Sequence, residues 1–211
     1  PRRWFDPSGT EVLFNYFGDT CFEYSLDDAI GEFLAPYSYN PILLNLNQSE
    51  TVSYEHLSRR IAKLSSSHIN EPKDQEEERK KLLMRRAAIV ASAEAKVPQL
   101  IDMLSSLMGR LSDKNQILKD TLVYCAPGTW KEVLARISKL GLRCHKFVHE
   151  VSLKRREQVL GQFENGDIQV LVAVHCLDEG VDIPSTRRAF FLSSTSNPCE
   201  FIQRRGRILR K

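Results

Sequence analysis

Strands and helices alternate along residues 120–211, and this alternation constrains the fold more than any other feature of the sequence. Ile168–Val174 is a nearly continuous apolar run, which is typical of a strand buried on both faces of a parallel sheet. Shorter β-rich runs at Thr121–Cys125, Arg143–Val148 and Arg188–Leu192 are separated from it by longer polar and amphipathic stretches. Strands separated by helices of about ten or more residues indicate βαβ units. The expected fold class is therefore α/β, with a parallel sheet and flanking helices.

Helix-ending residues divide this block further. A helix is predicted over Thr129–Leu140, because Gly141 is well suited to the position just after a helix end. A second helix is predicted from Ser152 to Phe163, and Pro198 is expected to begin a last one.

Residues 50–112 are predicted to be helical throughout. Apolar residues recur there every three or four positions, which places them on one face of each helix: Tyr54, Leu57, Ile61 and Leu64, and then Val97, Leu100, Ile101, Leu104, Leu107, Met108 and Leu111. The charged stretch Glu76–Arg79 is expected to lie in solvent, whereas the stripe from Leu100 to Leu111 is expected to pack on the sheet. These patterns divide the chain into three blocks, residues 1–48, a helical block over 49–113 and the α/β block over 114–211.

The first 48 residues have weaker signals. Ser25 is a suitable N-cap for a helix whose first turn is acidic. The apolar run Pro41–Asn47 has the length of a strand and is predicted to be one. Pro1 is neither an initiator Met nor the start of an apolar signal segment, so the chain is expected to be part of a longer protein.

The composition argues against several classes of protein. No apolar run approaches the roughly 18 residues of a membrane span. The five cysteines are odd in number and form no C-x-x-C pair, so no metal site is expected. The thiols are expected to be reduced, as in the cytoplasm. The net charge is only +3, but Gln203–Lys211 concentrates five basic residues. Such a cluster indicates a phosphate partner, although a solvated basic tail remains an alternative.

Two stretches are placed where a parallel sheet binds its ligands, beyond the carboxyl ends of the strands. The segment His175–Pro184 follows the apolar strand and contains two acids, a glycine and a third acid. It is read either as a ligand loop or as a polar connection. In the second stretch, Arg204, Arg207 and Arg210 are three residues apart and share roughly one helical face. Arginines arranged in this way can clamp the charge of a phosphoryl group.

Together these stretches resemble the superfamily 2 helicases. Val172–Pro184 looks like helicase motif V, and Gln203–Arg210 matches the Q-R-x-G-R-x-x-R form of motif VI at every defined position. Leu122–Gly128 is similar to motif IV, and Ser152–Phe163 resembles the helix that precedes motif V. The resemblance covers residues 120–211 and is closest to restriction-system helicase subunits and excision-repair-type DNA helicases. It implies a RecA-like C-terminal motor domain, with a linker and domain start over 1–48, a helical insertion over 49–113 and the core over 114–211.

The resemblance also implies a role for each matching position. Arg207 and Arg210 would be arginine fingers, the catalytic residues that face ATP. The nucleotide-binding residues implied are Gly180, Asp182, Gln203 and Arg204, and the nucleic-acid-binding residues implied are Gly128, Thr129, Val174 and His175. Val174 departs from motif V, which often carries a threonine there, so His175 is the alternative for that contact.

The sequence has no G-x-x-x-x-G-K-[ST] motif and no D-E-x-H box. ATP and Mg²⁺ are therefore expected to be bound mainly by an N-terminal RecA-like domain of the same protein, and this chain alone is expected to be inactive. Its nucleic-acid partner is expected to be DNA rather than RNA, with no membrane partner. The alternative function is a non-catalytic nucleic-acid-binding or regulatory module with the same fold.

Overall fold

The computed structural model describes residues 7–65, 73–148, 153–174 and 186–193. In chain order the elements in these ranges are α1 (Pro7–Phe17), α2 (Leu26–Ala29), α3 (Gln48–Ser65), α4 (Lys73–Ala91), α5 (Lys96–Ser112), β1 (Thr121–Tyr124), α6 (Trp130–Lys139), β2 (Cys144–Val148), α7 (Leu153–Glu164), β3 (Val170–Val174) and β4 (Arg188–Phe191). The chain divides into two compact units, one ending at Tyr37 and the other beginning at Ser38. The second unit contains all four of these strands.

The four strands form one parallel sheet in the order β2-β3-β1-β4. Tyr124 of β1 is in register with Ala173 of β3 on one side and Phe191 of β4 on the other. The residues Val170–Ala173 have no exposed surface, as expected of a strand covered on both faces. The predicted α/β fold with a parallel sheet is confirmed.

Helices cover both faces of this sheet. The steps from β1 to β2 and from β2 to β3 cross the sheet in opposite directions, and parallel crossovers are right-handed. Helices α6 and α7 must therefore lie on opposite faces. Contacts agree, because Cys144 packs against the Leu134 carbonyl of α6, whereas Arg156 of α7 lies over the ring of Phe147. Cys144 and Phe147 are three residues apart on β2, so their side chains point to opposite faces.

Helix α5 lies against α6 and contributes its apolar stripe to the same core as the strands. Leu100, Leu104 and Leu111 are buried in this core, and Leu107 is partly buried against it. The prediction that this stripe packs on the sheet is confirmed.

Helices α3 and α4 pack against each other as a hairpin of long helices. Ile61 and Leu82 are their buried residues. Glu76 and Glu77 are exposed, whereas Arg79 is half-buried and its Nε atom is buried. The prediction that this charged stretch lies in solvent is therefore confirmed for the two glutamates but not for Arg79, because the two-helix hairpin offers burial on one side of α4.

The run Pro41–Asn47 forms no strand, so this prediction was wrong. Leu43 is 96% exposed, and no described strand pairs with this segment. A strand needs a neighbouring strand that hydrogen-bonds its backbone N–H and C=O groups. An apolar run of strand length does not by itself indicate that such a neighbour exists. Asn47 instead caps α3, since its Oδ1 accepts a hydrogen bond from Glu50 N and Glu50 Oε2 accepts one from Asn47 N, both 2.9 Å.

The first unit contains α1 and α2. Ser25 caps α2 as predicted, because its Oγ accepts a hydrogen bond of 3.1 Å from Asp28 N. Asp28 Oδ2 in turn accepts one of 3.2 Å from Ser25 N, which closes a reciprocal cap.

A buried glutamine joins the amino edge of the sheet. Gln169 is 5% exposed and immediately precedes β3. Its Nε2 donates to Leu118 O at 2.8 Å, and its Oε1 accepts from Arg143 N at 3.0 Å. One side chain therefore satisfies backbone groups of the segments that lead into β1 and β2.

We expect Gln169→Leu to lower the free energy of unfolding by about 2–4 kcal/mol, because it leaves one backbone N–H and one C=O without partners. Equilibrium urea unfolding would measure the change, with an unaltered slope. Gln116→Leu is the matched control, since Gln116 is exposed and should change the stability by less than about 0.5 kcal/mol. Equal effects of the two substitutions on the free energy of unfolding would contradict the role given to the Gln169 side chain.

Candidate functional site at the carboxyl edge of the sheet

The carboxyl ends of three strands meet at one edge of the sheet. Cys125 N donates to Ala173 O at 3.1 Å just beyond β1, and Leu192 N donates to Tyr124 O at 2.8 Å just beyond β4. From β1 the chain runs to β2, which lies beyond β3 on one side of β1. Strand β4 lies on the other side of β1. Ligands of open α/β sheets bind beyond the carboxyl ends at such a reversal.

The turn after β1 contains Gly128 and Thr129, two predicted nucleic-acid-binding residues. Thr129 N and Thr129 Oγ1 both donate to Ala126 O, at 3.0 and 3.1 Å. The threonine hydroxyl is thus used within the turn and makes no side-chain cap for α6. Gly128 is exposed, and a Cβ there would meet no atom of residues 7–65, 73–148, 153–174 or 186–193 within 4 Å. The backbone N–H groups of the first turn of α6 begin beside this glycine.

Val174 ends β3 next to this turn. It is 9% exposed and in register with Val148 of the edge strand β2. Its side chain belongs to the core, so any role in ligand contact would fall to its backbone. The structure thus places Gly128, Thr129 and Val174 at the ends of adjacent strands, and their contact with nucleic acid stays a prediction.

The other predicted site residues lie outside the described ranges. They are His175, Gly180, Asp182, Gln203, Arg204, Arg207 and Arg210. Their nucleotide and nucleic-acid roles stay predictions.

Two lysines beside the turn were missed by the sequence reasoning. Lys131 Nζ lies 5.6 Å and Lys146 Nζ 5.0 Å from the centroid of the Trp130 ring. The indole is half-buried against the core and attracts both ammonium groups through its face. None of the ion pairs that join two described residues involves either lysine. Lys146 comes from β2, so only the folded sheet brings it to Trp130.

Lys96 was also missed. It is the first residue of α5, and its Nζ donates to Leu192 O at 2.5 Å and to Ala91 O at 3.4 Å. Burial lowers the pKa of Lys96, and the nearby carboxylate of Glu50 opposes this shift. A sequence signal for this role is lacking, since a lysine at a helix start is ordinarily solvated.

Cys21, Cys125 and Cys144 form no disulfide within the described ranges, and burial raises the pKa of Cys144. In the same part of the chain no three His, Cys, Asp or Glu residues are grouped closely enough to bind a metal ion. Nor does any helix in those ranges have the length and apolar character that crossing a membrane requires.

Comparison with known proteins identifies the domain. The Helicase conserved C-terminal domain family matches residues 96–211. The DNA 3'-5' translocase XPB2 of Sulfurisphaera tokodaii is 24% identical over 209 residues, which is 92% of this chain and 45% of that protein. The ATP-dependent RNA helicase RhlB of Vibrio cholerae is 26% identical over 167 residues, 78% of this chain and 35% of that protein.

Among solved structures, the C-terminal domain of a SWI2/SNF2 ATPase from Sulfolobus solfataricus has a TM-score of 0.52 and 15% identity. The match covers 70% of this chain and 68% of that one, and it shows a shared fold. The chain spans less than half the length of these two curated relatives. It belongs to the Helicase conserved C-terminal domain family of superfamily 2 helicases, and its parallel sheet is the RecA-like core of that domain.

Proposed function

We propose that this chain is the second motor domain of an ATP-dependent helicase or translocase that acts on DNA. The observation that carries the proposal is the family match over residues 96–211, which includes the complete Q-R-x-G-R-x-x-R pattern of Gln203–Arg210. ATP and Mg²⁺ would be bound mainly by an N-terminal RecA-like domain of the full-length protein. When bound, Mg²⁺ neutralises charge on the phosphates.

In this proposal the chain completes a nucleotide cleft between two domains. Arg207 and Arg210 would stabilise the charge that develops on the transferring phosphoryl group, and Arg204 would hold their helix in the cleft. Gln203 and Gly180 would lie near the nucleotide, with Asp182 near the ribose. Because the fingers act only in the closed cleft, hydrolysis would be coupled to movement of the domains.

The nucleic acid would cross the turn after β1. Gly128 and Thr129, with Val174 at the end of β3 and His175 next in the chain, would contact its phosphate backbone. The support from the described residues is electrostatic, because Lys131 and Lys146 add two positive charges at the ring of Trp130, the residue that follows Thr129. A DNA translocase is similar over 92% of this chain and a putative RNA helicase over 94%, both at 24% identity, so the proposal of DNA does not rest on coverage. DNA is proposed because the motifs resemble most closely those of restriction-system and excision-repair-type DNA helicases.

We expect the double variant Lys131→Ala, Lys146→Ala to weaken DNA binding by the full-length protein. Each lost phosphate contact should reduce the slope of log K against log salt concentration by about 1. Fluorescence anisotropy over a salt series would measure the slope. Lys139→Ala is the matched control, since Lys139 is exposed at the other end of α6 and should leave the slope unchanged. An unchanged slope in the double variant would remove the two lysines from the interface.

ATP hydrolysis by the full-length protein tests the function as a whole. Turnover should rise with DNA and rise less with RNA of the same length. Absence of ATP turnover under all conditions would favour a non-catalytic nucleic-acid-binding module. Stronger stimulation by RNA than by DNA would show that the nucleic acid on which the protein acts is RNA.

A further inference from the structure

The first unit exposes a row of three aromatic rings. The rings of Phe22 and Tyr24 are stacked with their centroids 6.2 Å apart, and the rings of Tyr24 and Phe33 meet edge to face at 6.0 Å. Phe22 is 77% exposed and Phe33 62%, and Tyr24 between them is 45% exposed. Single apolar side chains are common on protein surfaces, whereas a contiguous group of rings indicates an interaction site. Phe22, Tyr24 and Phe33 are called the ring row below.

Polar contacts hold the ring row in place. The Tyr24 hydroxyl donates to Glu32 Oε2 at 3.0 Å and lies 3.2 Å from the carbonyl oxygen of Asp28. The reciprocal cap between Ser25 and Asp28 fixes the turn that follows Tyr24. The row is therefore a preformed surface, and a partner that covers it orders few side chains on binding.

The charge around the ring row is entirely negative. Residues 7–47 contain no lysine, arginine or histidine and six carboxylates, those of Glu11, Asp19, Glu23, Asp27, Asp28 and Glu32. Such a surface repels the phosphates of a nucleic acid. A guanidinium or ammonium group, in contrast, is attracted both by the faces of the rings and by the carboxylates. The chemistry of the ring row therefore fits a basic protein surface.

The first unit belongs to a region that is shared with longer proteins. The DNA translocase XPB2 and a putative RNA helicase are similar over 92% and 94% of this chain, which is more than residues 38–211 amount to. The matched regions are 45% and 25% of those two proteins. The similarity thus extends into the first unit, and most of each relative lies outside the match. A domain of the same protein meets such a surface at a high effective concentration, which favours it over a separate partner.

We propose that the ring row is a docking surface for the N-terminal RecA-like domain of the full-length protein, whose arginine and lysine side chains lie against the rings and the carboxylates of Asp28 and Glu32. The inference rests on the proposed function, which supplies that domain. The ring row includes none of the residues to which a nucleotide or nucleic-acid role is given. The contact is therefore one in addition to those of the nucleotide cleft.

Cys21 is exposed and precedes Phe22, so its thiol reports whether the ring row is covered. The test measures the rate at which a maleimide labels Cys21 in the folded full-length protein, read by peptide mass spectrometry. The double variant Phe22→Ser, Phe33→Ser should raise this rate at least about tenfold, because truncating aromatic anchors weakens an interface by about that factor. Ile117→Ser, at a comparably exposed apolar residue before β1, is the matched control and should leave the rate unchanged. Equal rates in the wild type and the double variant would overturn the inference.

A photo-crosslinking side chain identifies the occupant of the surface. The substitution Phe22→p-benzoylphenylalanine places a group that reacts with neighbouring C–H bonds of any residue type. In a mixture of isotopically light and heavy full-length protein, we expect adducts with the N-terminal domain of the same molecule. Adducts only with residues 38–211, adducts only with a second copy, or no adducts at all would each overturn the choice of occupant.

The wild-type protein tests the charge of the occupant without any substitution. Salt screens contacts between surface charges, so raising NaCl from about 0.05 to about 0.5 M should speed Cys21 labelling at least about threefold. A wild-type rate that does not change with salt would overturn the basic character of the partner. Failure of the proposed function is separate, because it would appear as absence of DNA-stimulated ATP hydrolysis, which none of these measurements uses.

Discussion

Arg207→Ala and Arg210→Ala are each expected to lower kcat for ATP hydrolysis by the full-length protein roughly a thousandfold, the magnitude of arginine fingers in other nucleotide hydrolases. The two residues are three apart on a predicted helix, which would place their side chains on the same face. In the proposed function, an alanine at either position removes a donor that would meet the phosphoryl group only when the cleft closes. Steady-state phosphate release at saturating ATP and DNA would measure the loss.

Substitution by lysine distinguishes an arginine finger from an arginine that contacts the nucleic-acid phosphate backbone. Arg→Lys at either position should rescue kcat poorly, because an ammonium does not reproduce the planar guanidinium fork. DNA affinity should fall much less than kcat. Arg85→Ala is the control, since Arg85 is exposed on α4 and far in sequence from motif VI. Near-normal kcat with lost DNA binding in both alanine variants would instead make this helix a contact to the phosphate backbone.

The isolated 211-residue chain is expected to fold and to hydrolyse no ATP, with or without DNA. The reason is chemical: the sequence has no glycine-rich loop with a lysine to hold the β- and γ-phosphates and no acidic box to hold Mg²⁺. Arginine fingers without a bound nucleotide have nothing to stabilise. Phosphate release measured against a protein-free blank would check this expectation.

A contaminating ATPase is the main confounder of that experiment. The isolated chain with Arg207→Ala, purified in parallel, shows the contaminant level, since it shares every purification step. Turnover above this level that rises with the concentration of the chain would show that the fragment binds ATP productively by itself. The assignment of ATP to an N-terminal domain would then be wrong.

Local sequence patterns were sufficient for some elements and misleading for others. The continuous apolar run of β3 and the stripe of α5 were predicted correctly, because burial on both faces or on one helical face leaves a period in the sequence itself. Strand limits moved by one or two residues, since Ile168 and Gln169 precede β3. Pro41–Asn47 was predicted wrongly because strand formation depends on a partner elsewhere in the chain.

What the sequence by itself determined is the succession of strands and helices from Thr121 to Phe191, the apolar stripe of α5, the parallel class of the sheet and the presence of the motifs. These are local properties, read from periodicity, from glycine and proline positions and from the spacing of Gln203–Arg210. Tertiary structure alone decided the strand order, which brings the ends of β1, β3 and β4 together, and the contacts of Lys96 with Leu192 and of Lys146 with Trp130. Each of these joins residues distant in the chain. Such pairs form because the collapsed sheet buries apolar surface and satisfies its backbone groups, and neither quantity is readable from the residues of one segment.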